Sequence, residues 1–509
     1  MPYDLLVIGG GIQGAAVARD AALRGLSVLL LERRDLASGT SSRSSKLIHG
    51  GIRYLETGQF RLVREALRER ALLLALAPEF VRPLPFLIPH YRGEGRSRLA
   101  VSAGLSLYAL LAGRHPLAEH RSVDADEALA LEPSLRPEGL GGASLYWDAQ
   151  MDDALLCVAV AVAADRAGAA VMSYTEVVAL TPGPAAGAPW RARFRDVDTG
   201  EEGVAEARCV VNAAGPWAEE IRTLAGASRG AGLRRTRGTH IVVSGLTRAR
   251  ALLLTARRDG RVFFVLPWGA HSLVGTTDVD DATPPERIAP SEEDIRYLLD
   301  EAARAVPELA TRGRPLRAFA GLRSLAQGSA ILPWANSREH RIIEEKTMLT
   351  LIGGKYTTHR SLAERVVDRV VRATRVRAGR CTTAESPLPG RMEAIAKLMA
   401  RFPARLGAAG PLEVTEAEVV HAVHVELARH LEDVLARRTK LWLDGDAMRL
   451  LAGPVSRWMA PHLGWDEVAR GREVDRVTQA LDRERDIIDS ALEGAGAGTG
   501  AGAGPGATP

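Results

Sequence analysis

The chain predicts an α/β plus α protein. In this reading a Rossmann-like nucleotide-binding region is threaded through a β-rich region and followed by a helical domain. Three observations carry it. The N-terminal "YDLLVIGGGIQG" joins a buried-strand pattern to a glycine turn and a small-residue helix. The middle, about 186–345, breaks into short β-like runs between turn residues. Beyond Pro387 and Pro389 the pattern is helical to about residue 492.

In order along the chain, residues 4–8 read as a strand buried in a parallel sheet, and 13–25 as a helix small enough to pack closely on it. "SVLLL" (27–31) is a second strand ending at Glu32, and a helix runs from about 60 to 76. "PEFVRPLPFLIPHYRGEGR" (78–96) then reads as proline-rich, with short apolar pieces. Residues 151–168 are helical, and strands follow near 170–174 and at 175–180. "WRARFRDV", "ARCVVNAAG", "THIVVSG", "RVFFVLPW" and "HSLVGTTD" are the middle strands, interrupted by the helix "SEEDIRYLLDEAARAV". "TMLTLIGG" is a strand and "KYTTHRSLAERVVDRVV" turns into an amphipathic helix. The Gly/Ala tail, 493–509, cannot bury a core and is expected to be disordered.

At 509 residues the chain exceeds what one core usually organises, so two or more domains are expected. A net charge of only +4 gives no case for bulk nucleic-acid binding, despite a pI near 9.1. Three scattered cysteines, Cys157, Cys209 and Cys381, fit neither a disulfide framework nor a zinc site, and suit a reducing cytoplasm. The chain starts directly in a strand, which leaves no room for a cleavable signal peptide. The long uncharged stretch at 99–112 would reach about 21 Å as a helix, short of the roughly 30 Å of a bilayer core. No metal is expected: His421, His424 and His430 lack a carboxylate ligand pattern and read as a solvated helix face.

Gly9, Gly11 and Gly14 stand in G-x-G-x-x-G spacing between strand and helix. The first permits a tight turn, the second admits a pyrophosphate, and the third lets helix and strand approach. Glu32, at the end of the second strand, suits a ribose hydroxyl and repels a 2′-phosphate, which argues against NADP. FAD and NAD share this adenosine half. FAD is favoured because only one fingerprint exists, and the chain returns with two more strand–glycine–helix corners, "VVNAAGPWA" (210–218) and "LIGGKYTTHR" (351–360). A helix starting near Thr357 would direct its partial positive charge at the cofactor.

The ordered set "SSKLIHGGIRYLE", "VVNAAGPWAEEI", "RGTHIVV", "VFFVLPW…LVGTTD", "GLRSL" and "LIGGKYTTHR" resembles the motifs of FAD-dependent glycerol-3-phosphate dehydrogenases. The likeness covers about 1–385 and continues in "HLEDVLARRTKLWL" (430–443), similar to that family's C-terminal hallmark. Three departures stand out. Ser324 replaces a common proline, Tyr356 and His359 vary the late corner, and the middle domain is trimmed.

The resemblance implies a FAD-binding fold of the glutathione-reductase/D-amino-acid-oxidase type. FAD-binding segments would lie at about 1–80, 150–235 and 318–375, substrate segments at 81–149 and 236–317, and a helical domain at 386–492. It implies oxidation of sn-glycerol 3-phosphate to dihydroxyacetone phosphate, with electrons passed to membrane quinone. An oxygen-using oxidase or a related amine or hydroxy-acid oxidoreductase is the alternative. It further implies a cytoplasmic enzyme peripheral to an anionic inner membrane face, and leaves a homodimer open. Cofactor contacts would come from Gly9, Gly11, Ile12, Gln13, Gly14, Glu32 and Arg33. The run after the fingerprint would add Ser41, Ser42, Ser45, Lys46, Leu47, His49, Gly50 and Gly51. Later corners would add Val177, Ala213, Gly215, Gly354, Lys355, Thr357 and Thr358. Arg53 and Tyr54 would face substrate.

A phosphate monoester needs several cations, and Arg53, Arg323, Arg338 and Lys355 each lie beside a glycine or turn. Alcohol oxidation also needs a base, for which a neutral histidine is the default. His240 is preferred over His49, with Arg323 stabilising the developing alkoxide and Lys355 beside them.

Overall fold

The computed structural model describes residues 1–113, 115, 117–185, 187–228, 230, 232–247, 249–311, 314–326, 340–408 and 412–496. Its first sheet runs Arg341–Glu345, Met348–Ile352, Glu202–Asn212, Tyr3–Ile8, Val28–Leu31, Ala170–Met172. Thr175–Thr181 and Trp190–Asp196 continue it from Glu202–Asn212. The four strands Met348–Ile352, Glu202–Asn212, Tyr3–Ile8 and Val28–Leu31 are mutually parallel, with Leu6 opposite both Val210 and Leu29. Their residues are apolar on both faces because both faces are covered: Ile12–Leu23, Asp153–Arg166 and His359–Thr374 share one core with Leu5, Val7, Leu30 and Val211, and Leu6, Leu29 and Val210 pack with Val177, Leu180 and Trp190. This strand order sets the two late glycine corners directly beside the N-terminal fingerprint.

The second sheet runs Val279–Asp280, Leu233–Ser244, His271–Gly275, Val262–Trp268, Ala251–Thr255, Val81–Tyr91, Leu140–Met151, Leu47–Ile48. Arg317–Ala326 also pairs along Leu233–Ser244, so this strand belongs to the second sheet. The proline-rich stretch is an eleven-residue strand, Val81–Tyr91, antiparallel to Leu140–Met151. Pro83, Pro85 and Pro89 share one parity, so their missing donors fall along a single edge of the strand.

Arg98–Ala112 is the apolar helix, capped by Ser97. It has two faces. Leu105, Tyr108 and Ala112 are buried, whereas Leu99 and Leu110 are 84% and 76% exposed. Among the described residues no helix is long and apolar enough to cross a membrane.

The C-terminal helices Glu416–His424, Gly445–Leu463 and Glu467–Gly496 are preceded by a short antiparallel strand pair, Arg405–Gly407 with Glu413–Thr415, where the sequence pattern predicts only helix. The last helix extends to Gly496, past the expected start of the disordered tail; residues 497–509 lie outside the described ones. Leu441, Trp442 and Met448 share a core with Trp268 and Val242, so this domain packs on the second sheet. The three histidines do not form a solvated face. His421 is buried near Glu426, His424 Nε2 meets His462 Nδ1 at 2.9 Å, and His430 lies between Glu473 and Asp198.

Candidate active site

One cleft of about 1190 Å³ runs from the fingerprint glycines across the junction of the two sheets to Arg323 and Lys355. At its first end Gly9 sits at φ 110°, where a Cβ would meet Ala213 O at 2.7 Å. A Cβ on Gly14 would strike Gly9 O at 1.9 Å, so helix and strand touch through backbone alone. Gly11 is different: its Cβ would meet only Ser41 Oγ, at 3.1 Å, and it borders open cleft. Ser41 Oγ in turn accepts from Ile12 N at 3.0 Å. Glu32 accepts from Gly10 N at 2.6 Å and Arg34 N at 2.8 Å, so it braces the turn as well as facing the cleft. Burial pushes its carboxyl above the ordinary range, against those two bonds. Arg33 lies over Trp217 at 4.7 Å and pairs with Glu286.

The late corners close the same channel. Ala213 N donates to Ile8 O at 2.9 Å, and Gln13 Nε2 donates to Gly353 O at 2.6 Å. Gly354, at φ 91°, leaves no room for a Cβ beside Gln13 Nε2, 2.5 Å away. Thr357 Oγ1 bonds the backbone of His49 through both N and O, each at 3.2 Å. The helix His359–Thr374 begins two residues on. This channel, with bare glycine backbone at the fingerprint and two helix N-termini opening on it, fits a dinucleotide. Gly9, Gly11, Ile12, Gln13, Glu32, Arg33, Ser41, Ser45, Leu47, His49, Gly51, Val177, Ala213, Gly215, Gly354, Lys355 and Thr357 all line the cleft.

Five expected cofactor contacts do not. Gly14 is consumed by helix–strand packing, and Ser42 caps a short turn through Gly39 O at 3.5 Å. Lys46 points away from the cleft: its Nζ pairs with buried Asp153, bonds Ser42 O at 3.2 Å and lies 4.2 Å over Trp442. Gly50 packs against Leu67 and Tyr108, whose hydroxyl accepts from Gly50 N at 2.8 Å. Thr358 is the buried N-cap residue of the last helix of that core.

Arg53, Tyr54, His240, Arg323 and Lys355 all line this same cleft. Lys355 Nζ lies 3.4 Å from the centre of the Tyr54 ring, a cation–π contact. Arg323 donates to Thr276 Oγ1 at 2.8 Å, Thr277 O at 3.2 Å and Asp278 Oδ1 at 3.1 Å. A Cβ on Gly238 would lie 2.4 Å from its guanidinium. The motif "LVGTTD" thus holds the arginine in place, a role its spacing alone did not reveal. Ser324, the departure from proline, lines the cleft next to it. Arg338 lies outside the described residues. Arg43, not anticipated from the sequence, also lines the cleft, its guanidinium donating to Ala320 O at 3.2 Å.

His240 bonds Ser45 Oγ through Nε2 at 2.9 Å and stacks on Phe319 at 5.2 Å. Burial, then the charges of Arg323 and Lys46, hold its pKa well below 6.5. The imidazole is therefore neutral at physiological pH.

The family of FAD dependent oxidoreductases matches residues 4–345, and the C-terminal domain of alpha-glycerophosphate oxidase matches 391–470. A glycerol-3-phosphate dehydrogenase of Synechocystis is 33% identical over 94% of this chain and 96% of its own length. Glycerol-3-phosphate dehydrogenase 2 of Mycobacterium bovis is 35% identical over 95% of this chain and 88% of its own. The glycerol-3-phosphate dehydrogenase of Bacillus halodurans, solved with FAD, superposes with a TM-score of 0.74 at 26% identity, covering 96% of this chain and 95% of that one. With a cleft shaped for a dinucleotide and relatives alike over almost their whole length, the chain belongs to the FAD-dependent glycerol-3-phosphate dehydrogenase and oxidase family.

Proposed function

We propose that the protein oxidises sn-glycerol 3-phosphate to dihydroxyacetone phosphate and passes the electrons to a membrane quinone. The observation that carries this reading is the meeting of a neutral buried imidazole, His240, with three cations, Arg53, Arg323 and Lys355, in one cleft. A phosphate monoester carries nearly two negative charges and needs that density of cations. Arg53 and Lys355, with Tyr54, bind the phosphate, and Arg338 is proposed to join them. Arg323, held by Thr276 and Asp278, faces the C2 oxygen and stabilises charge as its proton leaves. His240 is the base that finally holds that proton. FAD, when bound, supplies the two-electron acceptor for the C2 hydrogen.

The quinone acceptor is supported by the two-faced helix Arg98–Ala112, which offers Leu99 and Leu110 to an apolar phase beside Arg92 and Arg96. That helix supports a peripheral place on the inner face of an anionic membrane. Anaerobic mixing of the holoprotein with glycerol 3-phosphate should bleach the flavin absorbance. An unchanged spectrum at millimolar substrate would reject the substrate. Turnover in air that releases peroxide stoichiometrically, with no preference for a quinone analogue, would replace quinone by oxygen.

A further inference from the structure

His240 borders the cleft but is only 1% exposed. Phe319, its cross-strand neighbour on one side, stacks on the ring with an interplanar angle of 18°. Gly275, its neighbour on the other strand, leaves no space: a Cβ there would lie 2.4 Å from Cδ2 of the imidazole. The ring is held between these two strands. Nδ1 is sealed in protein, with no hydrogen-bond partner among the described residues. The remaining outlet is Nε2, and Ser45 Oγ occupies it at 2.9 Å.

Ser45 is placed differently. It is only partly buried and lines the cleft. Its two neighbours are both anchored to buried Asp153, Ser44 through its hydroxyl at 2.7 Å and Lys46 through its ammonium. Lys46 also takes a left-handed φ of 54°, which turns its side chain to the far side of the segment from the cleft. A substrate in the cleft can therefore reach the serine hydroxyl, while the imidazole nitrogen stands one atom behind it.

We infer that Ser45 is a catalytic proton relay between substrate and His240. The O–H bond of the substrate C2 hydroxyl breaks as an O–H bond forms on Ser45 Oγ. The original Ser45 O–H bond breaks as an N–H bond forms on His240 Nε2. The serine is unchanged at the end and one proton has moved from substrate to imidazole. FAD, when bound, would supply the acceptor for the C2 hydrogen and its electron pair. Nε2 accepts in the tautomer that carries its resting proton on Nδ1. The inference rests on the reading of His240 as base.

The test uses FAD-loaded holoprotein and three variants, Ser45→Ala, Ser45→Thr and His240→Gln, in anaerobic stopped flow. Two further readouts are the dissociation constant of dihydroxyacetone phosphate, from its perturbation of the flavin spectrum, and the flavin reduction potential. Ser45→Ala is expected to slow flavin reduction by about 10²–10⁴-fold, the usual weight of general acid–base catalysis, with the other two readouts unchanged. Ser45→Thr, which keeps the hydroxyl, should restore most of the rate. If Ser45→Ala reduces at the wild-type rate while His240→Gln is slow, the relay is wrong and the base stands. If both variants match wild type, the base assignment fails with it. A shifted reduction potential or weakened product binding in Ser45→Ala, accounting for the whole rate loss, would make Ser45 a cofactor-holding residue and overturn the relay.

Discussion

Asp35 and Arg438 lie 403 residues apart and meet in the interior, Nη2 to Oδ1 at 2.6 Å, with neither side chain exposed. Arg437 reaches the same carboxylate, so the C-terminal hallmark grips the loop that follows Glu32. Burial pushes the Asp35 carboxyl up, but the two guanidinium groups outweigh it and hold it below its ordinary range. Removing Asp35 takes this carboxylate from both arginines and leaves Arg437 to Asp433 at 2.7 Å and Arg438 to Glu426 O at 2.8 Å; breaking a buried pair of this kind typically costs about 3–5 kcal/mol. Asp35→Ala should therefore lower the urea midpoint markedly and release flavin at lower denaturant than wild type. A midpoint unchanged within error would mean that the domains do not depend on this clamp.

The fingerprint glycines should fail in different ways. Gly11→Val places its side chain in open cleft, so the protein should fold and elute colourless. Gly14→Ala drives a Cβ into Gly9 O, so it should lose stability at or above the top of the usual 1–3 kcal/mol overpacking range, with flavin lost as a consequence. Flavin absorbance and thermal melting, read together on each variant, separate the two cases.

Arg53→Ala and Arg323→Ala should keep FAD and lose substrate. A buried charge-assisted contact is worth about 2–5 kcal/mol, or roughly thirtyfold to several thousandfold in kcat/KM. Arg323→Ala should also depress kcat, because its guanidinium is proposed to face the reacting oxygen, while Arg53→Ala should act mainly on KM. Steady-state kinetics on glycerol 3-phosphate decide this, and wild-type constants in both would move the phosphate site elsewhere.

Membrane attachment can be probed without touching the core. Leu105 is 1% exposed, so a charge there would disrupt packing rather than binding. Leu99 and Leu110 are the outward pair, and the double change Leu99→Glu, Leu110→Glu should abolish sedimentation with anionic liposomes while the flavin spectrum stays intact. Wild-type binding should weaken as salt rises. Wild-type protein that stays in the supernatant at low salt would end the membrane reading.

His430 makes stability depend on pH. Burial lowers its pKa, but the Glu473 bond and the charges of Glu473, Asp433 and Asp198 outweigh this and raise it above 6.5, with Arg476 also in contact. A raised folded pKa contributes stability that is complete below the unfolded value and disappears as pH climbs through the folded one. The unfolding midpoint should fall as pH rises above about 6.5, and His430→Gln should flatten that slope. An equal slope in both proteins would remove His430 from the account.

The fingerprint, the two late corners and most strands were legible in the amino-acid order because their requirements are local. A glycine at φ 110° or an uninterrupted apolar run declares itself within a few residues. The strand Val81–Tyr91 did not, since its prolines are tolerable only once Leu140–Met151 pairs along it and their missing donors share one edge. Within 41–51 the order of residues names the segment but not its sides. Ser45 faces the cleft and Lys46 faces Asp153 because a buried carboxylate more than a hundred positions away draws the ammonium inward. The same holds for Leu105 against Leu110 on one helix, for the burial of His421, and for the joining of Asp35 to Arg438. Each is settled by which distant surface comes to lie against the residue, and that follows from the packing of whole elements.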